Sequence, residues 1–427
     1  MSKKIEFYKE NKLKMTEIGE IPEEWKVVKI GDCGKVVTGT TPSTKVKDYW
    51  NGPYPFVTPT DISGAKYVFK TERRVSQAGI RKGRLIPKNS VLVTCIGSTI
   101  GKSALAYERC ITNQQINAII CKKGIDPHYV FYAITYKERE LRNWAGSAAK
   151  PIIKKSLFKK FPISIPRHCD EQQKISSVLS AIDDAIQKTD EIIRKTQELK
   201  EGLMQRILTK GIGHTRFKKT EIGEIPEEWE VVKLKDAILD IKSGFACGKR
   251  DENGILQLRM DSINPEGWIN IEAGVKVPIP KNIEDYLLKP GDILFNNTNS
   301  VDLIGKTAIF RGEFTRCTYS NHLTRIRVNH DKALPEWILH ILIRKWQLGV
   351  FRAICHRHVH QAGINNRDIL NLKIPLPRLS EQQKIVEIFR NVDKEVKMER
   401  QTKENLEKTK RWFMQNLLTG KIRVKVN

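Results

Sequence analysis

The sequence has eight cysteines, but no two stand in a CxxC spacing. Cys33, Cys95, Cys110, Cys121, Cys169, Cys247, Cys317 and Cys355 are scattered along the chain, which suits buried free thiols in a reducing cytosol rather than a zinc knuckle or a disulfide framework. No apolar run approaches the ~18 residues that a bilayer span requires. The opening MSKKIEFYKENKLKM lacks the apolar core of a signal peptide, so the expected compartment is cytoplasmic, with no membrane partner. GxSxG, HExxH, a dinucleotide fingerprint and an Asn-Pro-Pro-aromatic motif of the kind that holds a flipped base are all missing. No catalytic set and no cofactor are expected on this chain. Acidic residues are also short: 49 Asp and Glu face 75 Lys and Arg, a net charge of +26 with a pI near 9.7. Such an excess points to a polyanion, most often nucleic acid, the bland alternative being a lysine-rich protein of a hot or salty proteome. At 427 residues and 40% hydrophobic content, the chain is long enough for two or three domains and apolar enough to fold them.

What is present is written twice. Residues 16–29 read TEIGEIPEEWKVVK and residues 220–233 read TEIGEIPEEWEVVK, one difference in fourteen positions at an offset of 204. A second block starts at EQQKI (171–175), recurs as EQQKI (381–385), and runs without insertion or deletion to LMQRILT (203–209) and FMQNLLT (413–419). Weaker matches lie in between: VLVTCIGSTIGKSALAY (91–107) with ILFNNTNSVDLIGKTAIF (293–310), and DPHYVFYAITYKERELRNW (126–144) with LPEWILHILIRKWQLGVF (334–351). The last two carry proline at a first helical position followed by apolar residues at helical spacing. Loops tolerate length changes but a helix held in register does not, so each copy reads as a variable globular part followed by a helical tail. The expected domains are residues 1–170, a helical spacer at 171–210, residues 211–380, and a second helical region at 381–427.

Both tails show a coiled-coil seam. In the first it runs through Ile175, Leu179, Ile182, Ile186, Ile193, Leu203 and Ile207, with Thr189, Thr196 and Lys200 at weaker positions. In the second it runs through Ile385, Phe389, Val392, Val396, Leu406, Phe413 and Leu417, with Glu399, Lys403 and Lys410 at the weaker ones. Lys210-Gly211 and Gly420 are ordinary helix stops. Connectivity makes the pair antiparallel, which brings the carboxyl terminus beside the first globular part; docking of each seam on its own domain, or oligomerisation, are the alternatives. A 39-residue helix would be about 58 Å long. Residues 171–209 carry a net −1 and residues 381–419 a net +2, so the globular parts hold nearly all the positive charge. Two cationic modules on a neutral spacer suit gripping two separated places on one duplex.

Each globular part reads as a compact α/β domain, opening on a Trp-Lys/Glu-Val-Val-Lys strand and containing short runs such as Leu92–Thr94 and Asp292–Phe295. Candidate DNA-contacting residues fall in their loops. In the first part these are Thr38, Thr40, Thr41, Ser43 and Lys45; Thr58, Thr60 and Asp61; and Asn113, Gln114 and Gln115. In the second they are Lys249 and Arg250; Arg259 and Asp261; Asn296, Asn297 and Asn299; Asn321 and His322; and His356, Arg357, His358, His360 and Gln361. Asn and Gln pair bidentately with adenine and Arg with guanine, whereas Lys and Thr more often hold phosphates. Taken singly, each of these residues is also an ordinary turn former.

Two sharper patterns read as decoys. Gly97-Ser98-Thr99-Ile100-Gly101-Lys102-Ser103 resembles a phosphate loop but is one residue short between its glycines, and its repeat partner at 300–307 lacks the first glycine, so a buried turn is expected. Cys355 to His360 resembles a metal cluster without a second ligand pair, and the first part has nothing like it; a cationic, DNA-facing loop is expected instead.

Two variable halves, each followed by a matched helical region, resemble the specificity subunit of type I restriction–modification enzymes. The resemblance is carried by IGEIPEEW (18–25, 222–229), VLVTCIGSTIGK (91–102) with ILFNNTNSVDLIGK (293–306), and ISIPRHCDEQQKI (163–175) with KIPLPRLSEQQKI (373–385), and it covers nearly the whole chain. It implies two α/β target recognition domains separated by a pair of long antiparallel helices. Each domain would read one half of a split, asymmetric sequence in double-stranded DNA, and the helices would measure the unread spacer, at most roughly 17 base pairs for that helix length. It further implies two methyltransferase subunits and restriction/motor subunits as partners, with S-adenosylmethionine and ATP bound by those partners. The chain departs from the pattern in having one residue more before Glu171 than before Glu381. The alternatives are a stand-alone DNA- or RNA-binding architectural protein, an enzyme with a degenerate motif, and a coiled-coil scaffold.

Overall fold

The computed structural model describes residues 5–146, 151–357 and 361–426. The chain forms two compact units, one of residues up to Glu191 together with Arg400 onward, the other of Ile192–Glu399. No helix among the described residues is long and apolar enough to cross a membrane.

In the first unit a five-stranded sheet has the order Gly34–Thr38, Ile116–Cys121, Val91–Thr94, Ser103–Ala106, Tyr67–Val68. All its neighbours are antiparallel except the last pair. Val91–Thr94 is buried at every position, as a central strand covered on both faces must be. One cover is the helix Pro127–Tyr136, which starts on proline with the Asp126 carboxylate accepting from the Tyr129 amide. A smaller sheet, Ile111–Thr112, Trp50–Val57 and Arg73–Val75, completes the unit with the pair Lys26–Lys29 and Pro162–Ile165.

The second unit repeats this plan. Its sheets are Ile238–Ser243, Leu323–Val328, Ile293–Asn296, Thr307–Ile309 and Val275–Val277, Ile255–Leu258, Cys317–Tyr319, and Glu230–Lys233 pairs with Lys373–Leu376. Pro335–Gln347 is its proline-started helix. The expected strands and both proline starts are therefore present. The main sheet of this unit has four strands, and a separate small sheet joins Thr298–Asn299, Ala362–Gly363 and His356–Arg357.

The long helices run Cys169–Lys210 and Leu379–Leu417. Gly211 and Gly420 follow them with positive φ (64° and 72°), the left-handed stop that glycine takes without strain. The pairing is antiparallel: within the first unit Asp183 binds Lys410 and Asp190 binds Lys403, both at 2.6 Å, so seven residues forward on one helix match seven backward on the other. Within the second unit Lys200 meets Asp393 at 2.5 Å. The lysines at weak seam positions thus pair with acids of the facing helix. The alternative that seams dock on their own domains also holds in part. Ile175 and Leu179 of the first helix enter the first unit's core and Ile385 and Phe389 of the second helix enter the second's, whereas the far ends cross over, Leu417 lying in the first unit's core and Ile207 in the second's. Ile182, Ile186, Ile193, Leu203, Val392, Leu406 and Phe413 are half-buried along the seam, and Thr189, Thr196 and Val396 are buried. Phe7–Lys9 pairs with Ile422–Val424, which puts the carboxyl-terminal strand in the first unit.

The near-identical segments prove to be structural. Trp25 and Trp229 of the two IPEEW runs are fully buried, edge-on to Tyr129 and Trp337. The first glutamine of each EQQKI is a buried staple. Gln382 accepts from the Leu334 amide (2.9 Å) and donates to the Lys332 and Pro377 carbonyls (3.1 and 2.9 Å). Gln172 likewise accepts from the Asp126 amide (2.9 Å) and donates to the Pro166 carbonyl (3.1 Å). Each staple therefore locks the residue before a proline-started helix to the first turn of a long helix. The extra residue before Glu171 is absorbed ahead of Cys169, leaving the same staple intact.

Candidate nucleic-acid interface

In the first unit the three candidate loops converge because the strands that carry them are neighbours. The Thr40 amide donates to the Thr112 carbonyl (2.8 Å) and the Asn113 amide to the Val57 carbonyl (3.0 Å). Thr41 donates to Gln114 Oε1 (2.8 Å), and Thr38 donates to Asn117 Oδ1 (2.6 Å). Thr58 caps its turn through Asp61, with amide and hydroxyl both 2.7 Å from one carboxylate oxygen, and its hydroxyl also lies 2.7 Å from that of Thr60. Asn113 and Gln115 bind each other at 2.9 Å. Thr38, Thr40, Thr41, Thr58, Asn113 and Gln115 are half-buried and mostly shape the loops, whereas Ser43, Lys45, Thr60 and Gln114 are exposed.

The same loops meet in the second unit. Gly244 donates to the Leu323 carbonyl (3.0 Å) and Asn297 to that of His322 (3.1 Å), while Gln257 holds the Phe245 carbonyl (3.0 Å) and Arg259 that of Cys247 (3.3 Å). The turn after Arg259 is closed by Ser262, as the turn after Thr58 is closed by Asp61. Beneath it Lys306 is buried and donates to the Ile263 carbonyl (2.8 Å); burial holds its ammonium below the ordinary lysine range, with the charge of Asp261 opposing.

The expectation that Asn296, Asn297 and Asn299 face a groove is corrected. All three are buried; Asn296 donates to the Met260 carbonyl (3.2 Å), Asn297 to Asn321 O and Thr324 Oγ1 (3.1 and 2.8 Å), and Asn299 accepts from the Ser300 amide (2.7 Å). Their reason is loop anchoring: a strand end at the heart of the sheet has backbone groups to satisfy. Arg259 is half-buried and gives one guanidinium N–H to the Cys247 carbonyl. Lys249, Arg250, Asp261, Asn321, Arg357 and Gln361 are exposed, and His322 is half-buried. His356 is exposed and 3.1 Å from Asp368. Its strand joins the cluster through Ala362–Gly363, which pairs with both 298–299 and 356–357. His358 and His360 lie outside the described residues.

The glycine-lysine decoy is a turn between two strands, Val91–Thr94 and Ser103–Ala106, with no helix following it, and the counterpart before Thr307 has the same build. Among the described residues no group of three or more His, Cys, Asp or Glu is placed to hold a metal. The thiols are free, and burial pushes Cys33, Cys95, Cys110 and Cys317 up to about 12.

Sequence reasoning missed a cationic face in the first unit. Arg73 lies over the Trp50 ring (3.6 Å), and Arg84 donates to the Thr38 carbonyl (2.8 Å), tying that face to the candidate loops. The run of basic residues from Lys70 to Lys88 was a visible signal for it.

A duplicated α/β module with one loop cluster per copy, joined by paired long helices, defines a class. The chain belongs to the type I restriction–modification DNA specificity family: the model described as "Type I restriction modification DNA specificity domain" matches residues 22–198 and again 226–408. The type I restriction enzyme MjaVIII specificity subunit of Methanocaldococcus jannaschii is 31% identical, with 99% of this chain and 98% of that protein aligned. The MjaIX specificity subunit of the same organism is 34% identical over 58% of this chain and 59% of its own length. The crystal structure of a type I restriction–modification S subunit from M. genitalium superposes with a TM-score of 0.60 at 14% identity, covering 96% of this chain and 99% of that one, a likeness of fold.

Proposed function

We propose that this chain is the sequence-reading subunit of a type I restriction–modification complex, each unit reading one half of a bipartite, asymmetric target in double-stranded DNA. One observation carries the reading: the same loops are built twice on the same strands, but with different exposed side chains, Ser43, Lys45 and Gln114 in one and Lys249, Arg250 and Asn321 in the other. Equal scaffolds with unlike loops read unlike half-sites, so the target is not a palindrome. The long helices set the spacing between half-sites and offer docking surfaces to two methyltransferase subunits. Those partners bind S-adenosylmethionine, and restriction/motor subunits bind ATP; the chain itself performs no catalysis.

The test is selection from randomised duplexes with the full chain, alone and with its methyltransferase. Two short, unlike blocks around a fixed unread spacer are expected. Tight, salt-sensitive binding without enrichment in either condition would favour the stand-alone architectural reading and overturn this one.

A further inference from the structure

The two globular parts are unequally charged. Residues 1–170 hold 31 Lys and Arg against 15 Asp and Glu, a net of +16, whereas residues 211–380 hold 25 against 20, a net of +5. The repeated topology locates the difference. Strands Arg73–Val75 and Val275–Val277 occupy the same place, each antiparallel to the strand that leads into the 58 or 259 turn. Residues 70–88 carry seven cations and one acid, while the counterpart 272–290 carries three of each. Likewise Ile153 and Ile364 are equivalent, their amides donating to Cys95 and Asn297 carbonyls (2.8 and 2.9 Å). Directly after them the chain carries four lysines and no acid at 154–160, against one cation and one acid at 365–371. These two segments hold ten of the eleven charges by which the parts differ.

Both segments are attached to the recognition loops. Arg84 grips the Thr38 carbonyl, and Tyr54, with Arg109 6.0 Å over its ring, bonds Gln77 (2.6 Å) at the start of the helix Gln77–Lys82. The Gly97 amide bonds the Pro151 carbonyl (3.0 Å), holding the lysine segment to the turn after Val91–Thr94. Lys70, Arg81, Lys82, Lys154, Lys155 and Lys160 are exposed. Among the described residues the ion pair that either segment makes is Arg74 with Glu108, at 3.3 Å. Like charges held side by side without acids are repulsive unless an anion covers them.

We propose that these two segments form a duplex-phosphate clamp that the second unit lacks, so that the first unit supplies most of the salt-dependent grip on DNA. The inference rests on the DNA-reading function proposed above and adds a division of labour to it: the first unit holds, and the second discriminates with little electrostatic help.

The test compares two matched quadruple variants of the full chain, with its methyltransferase present. One is Arg81→Gln, Lys82→Gln, Lys154→Gln and Lys155→Gln; the control is Lys276→Gln, Lys281→Gln, Lys289→Gln and Arg367→Gln, equal in charge removed. Each lost phosphate contact lowers the slope of log K against log salt by about 0.9. The first variant should therefore lose about 3 to 4 units of slope, which removes roughly a hundredfold of the affinity change between 50 and 200 mM salt. The control should lose about one unit or less, and both should keep the wild-type target and circular dichroism. Equal slopes for variant and wild type, or equal losses in variant and control, overturn the clamp while leaving DNA reading intact. Loss of methyltransferase capture with an unchanged slope would make the patch a protein-docking surface and overturns the clamp as well. A wild-type chain that binds no duplex would sink the functional reading itself.

Discussion

His340 gives the second unit a built-in sensitivity to acid. It lies on the helix Pro335–Gln347, fully enclosed, with its ring centroid 4.4 Å from that of Phe389 on the second long helix. Its Nδ1 has no hydrogen-bond partner among the described residues. Burial, reinforced by the charges of Lys200, Arg311 and Arg390, lowers its pKa from 6.5 to about 3. The folded state therefore keeps this imidazole neutral at pH values where the unfolded chain protonates it. The stability it contributes is complete above pH 6.5 and is lost as pH falls from 6.5 towards 3, because the unfolded state binds the extra proton. The slope approaches about 1.4 kcal/mol per pH unit below pH 6.5, so going from pH 7.5 to 5 costs about 2 kcal/mol from this side chain alone.

The perturbation that isolates this effect is His340→Phe, which keeps a ring against Phe389 and removes the titration. Urea unfolding of both proteins between pH 7.5 and 5, followed by hydrogen exchange in the helix Pro335–Gln347, reads the second unit. Carboxylate contributions common to both proteins cancel in the difference. The variant should gain about 2 kcal/mol on wild type between pH 7.5 and 5, whatever its offset at pH 7.5. A poor fit of the larger ring would shift that offset but not the pH dependence. Parallel curves would refute the reasoning, showing that the folded unit accepts the proton after all.

Two further substitutions test the internal fastenings. Gln382→Leu leaves the Leu334 amide and the Lys332 and Pro377 carbonyls without their partner, and should cost about 2–4 kcal/mol in urea unfolding, a loss under about 1 counting against the staple. Arg423→Met strands the buried carboxylate of Glu171, to which Arg423 donates twice at 2.8 Å; about 3–5 kcal/mol should be lost from the first unit, and exchange should quicken in Phe7–Lys9, whereas unchanged protection there would refute the clasp.

The repeat and the long helices were legible because both depend on spacing. The seam residues, the proline starts and the glycine stops occupy their expected places, since helical periodicity and caps are local. The loop chemistry was only half legible. Ser43, Lys45, Lys249 and Arg250 are exposed, but Asn296, Asn297 and Asn299 face inward. A polar side chain at a strand end serves either solvent or a neighbouring carbonyl, and only the strand order tells which. Gln172 and Gln382 show the converse. Read as the polar start of a helix, they are among the most buried groups in the chain, because three backbone partners in each unit converge on them. Their recurrence at a fixed offset was the signal available.

Comparing the copies separates what the scaffold demands from what it leaves open. The glutamate of EQQKI is needed in both units but solved differently. Glu381 accepts from Trp229 Nε1 and His214 Nε2 (both 2.9 Å) and from the Ile212 amide (3.1 Å), groups supplied by the segment after the first helix. Glu171 instead takes the guanidinium of Arg423, supplied by the segment after the second helix, and Trp25 Nε1 has no partner among the described residues. Arg423 also meets Glu10 and Glu24, at 2.9 Å each, so a charge cluster does in the first unit what an indole, an imidazole and a backbone amide do in the second. The invariant part is a carboxylate at the start of each long helix, buried at Glu171 and half-buried at Glu381; the partner is whatever the following segment provides. The same division holds at the recognition end, where the strands and turn closures repeat and the exposed side chains do not. A fold that fixes its anchors and frees its loops can change one half-site without disturbing the other, since each loop cluster is anchored within its own unit.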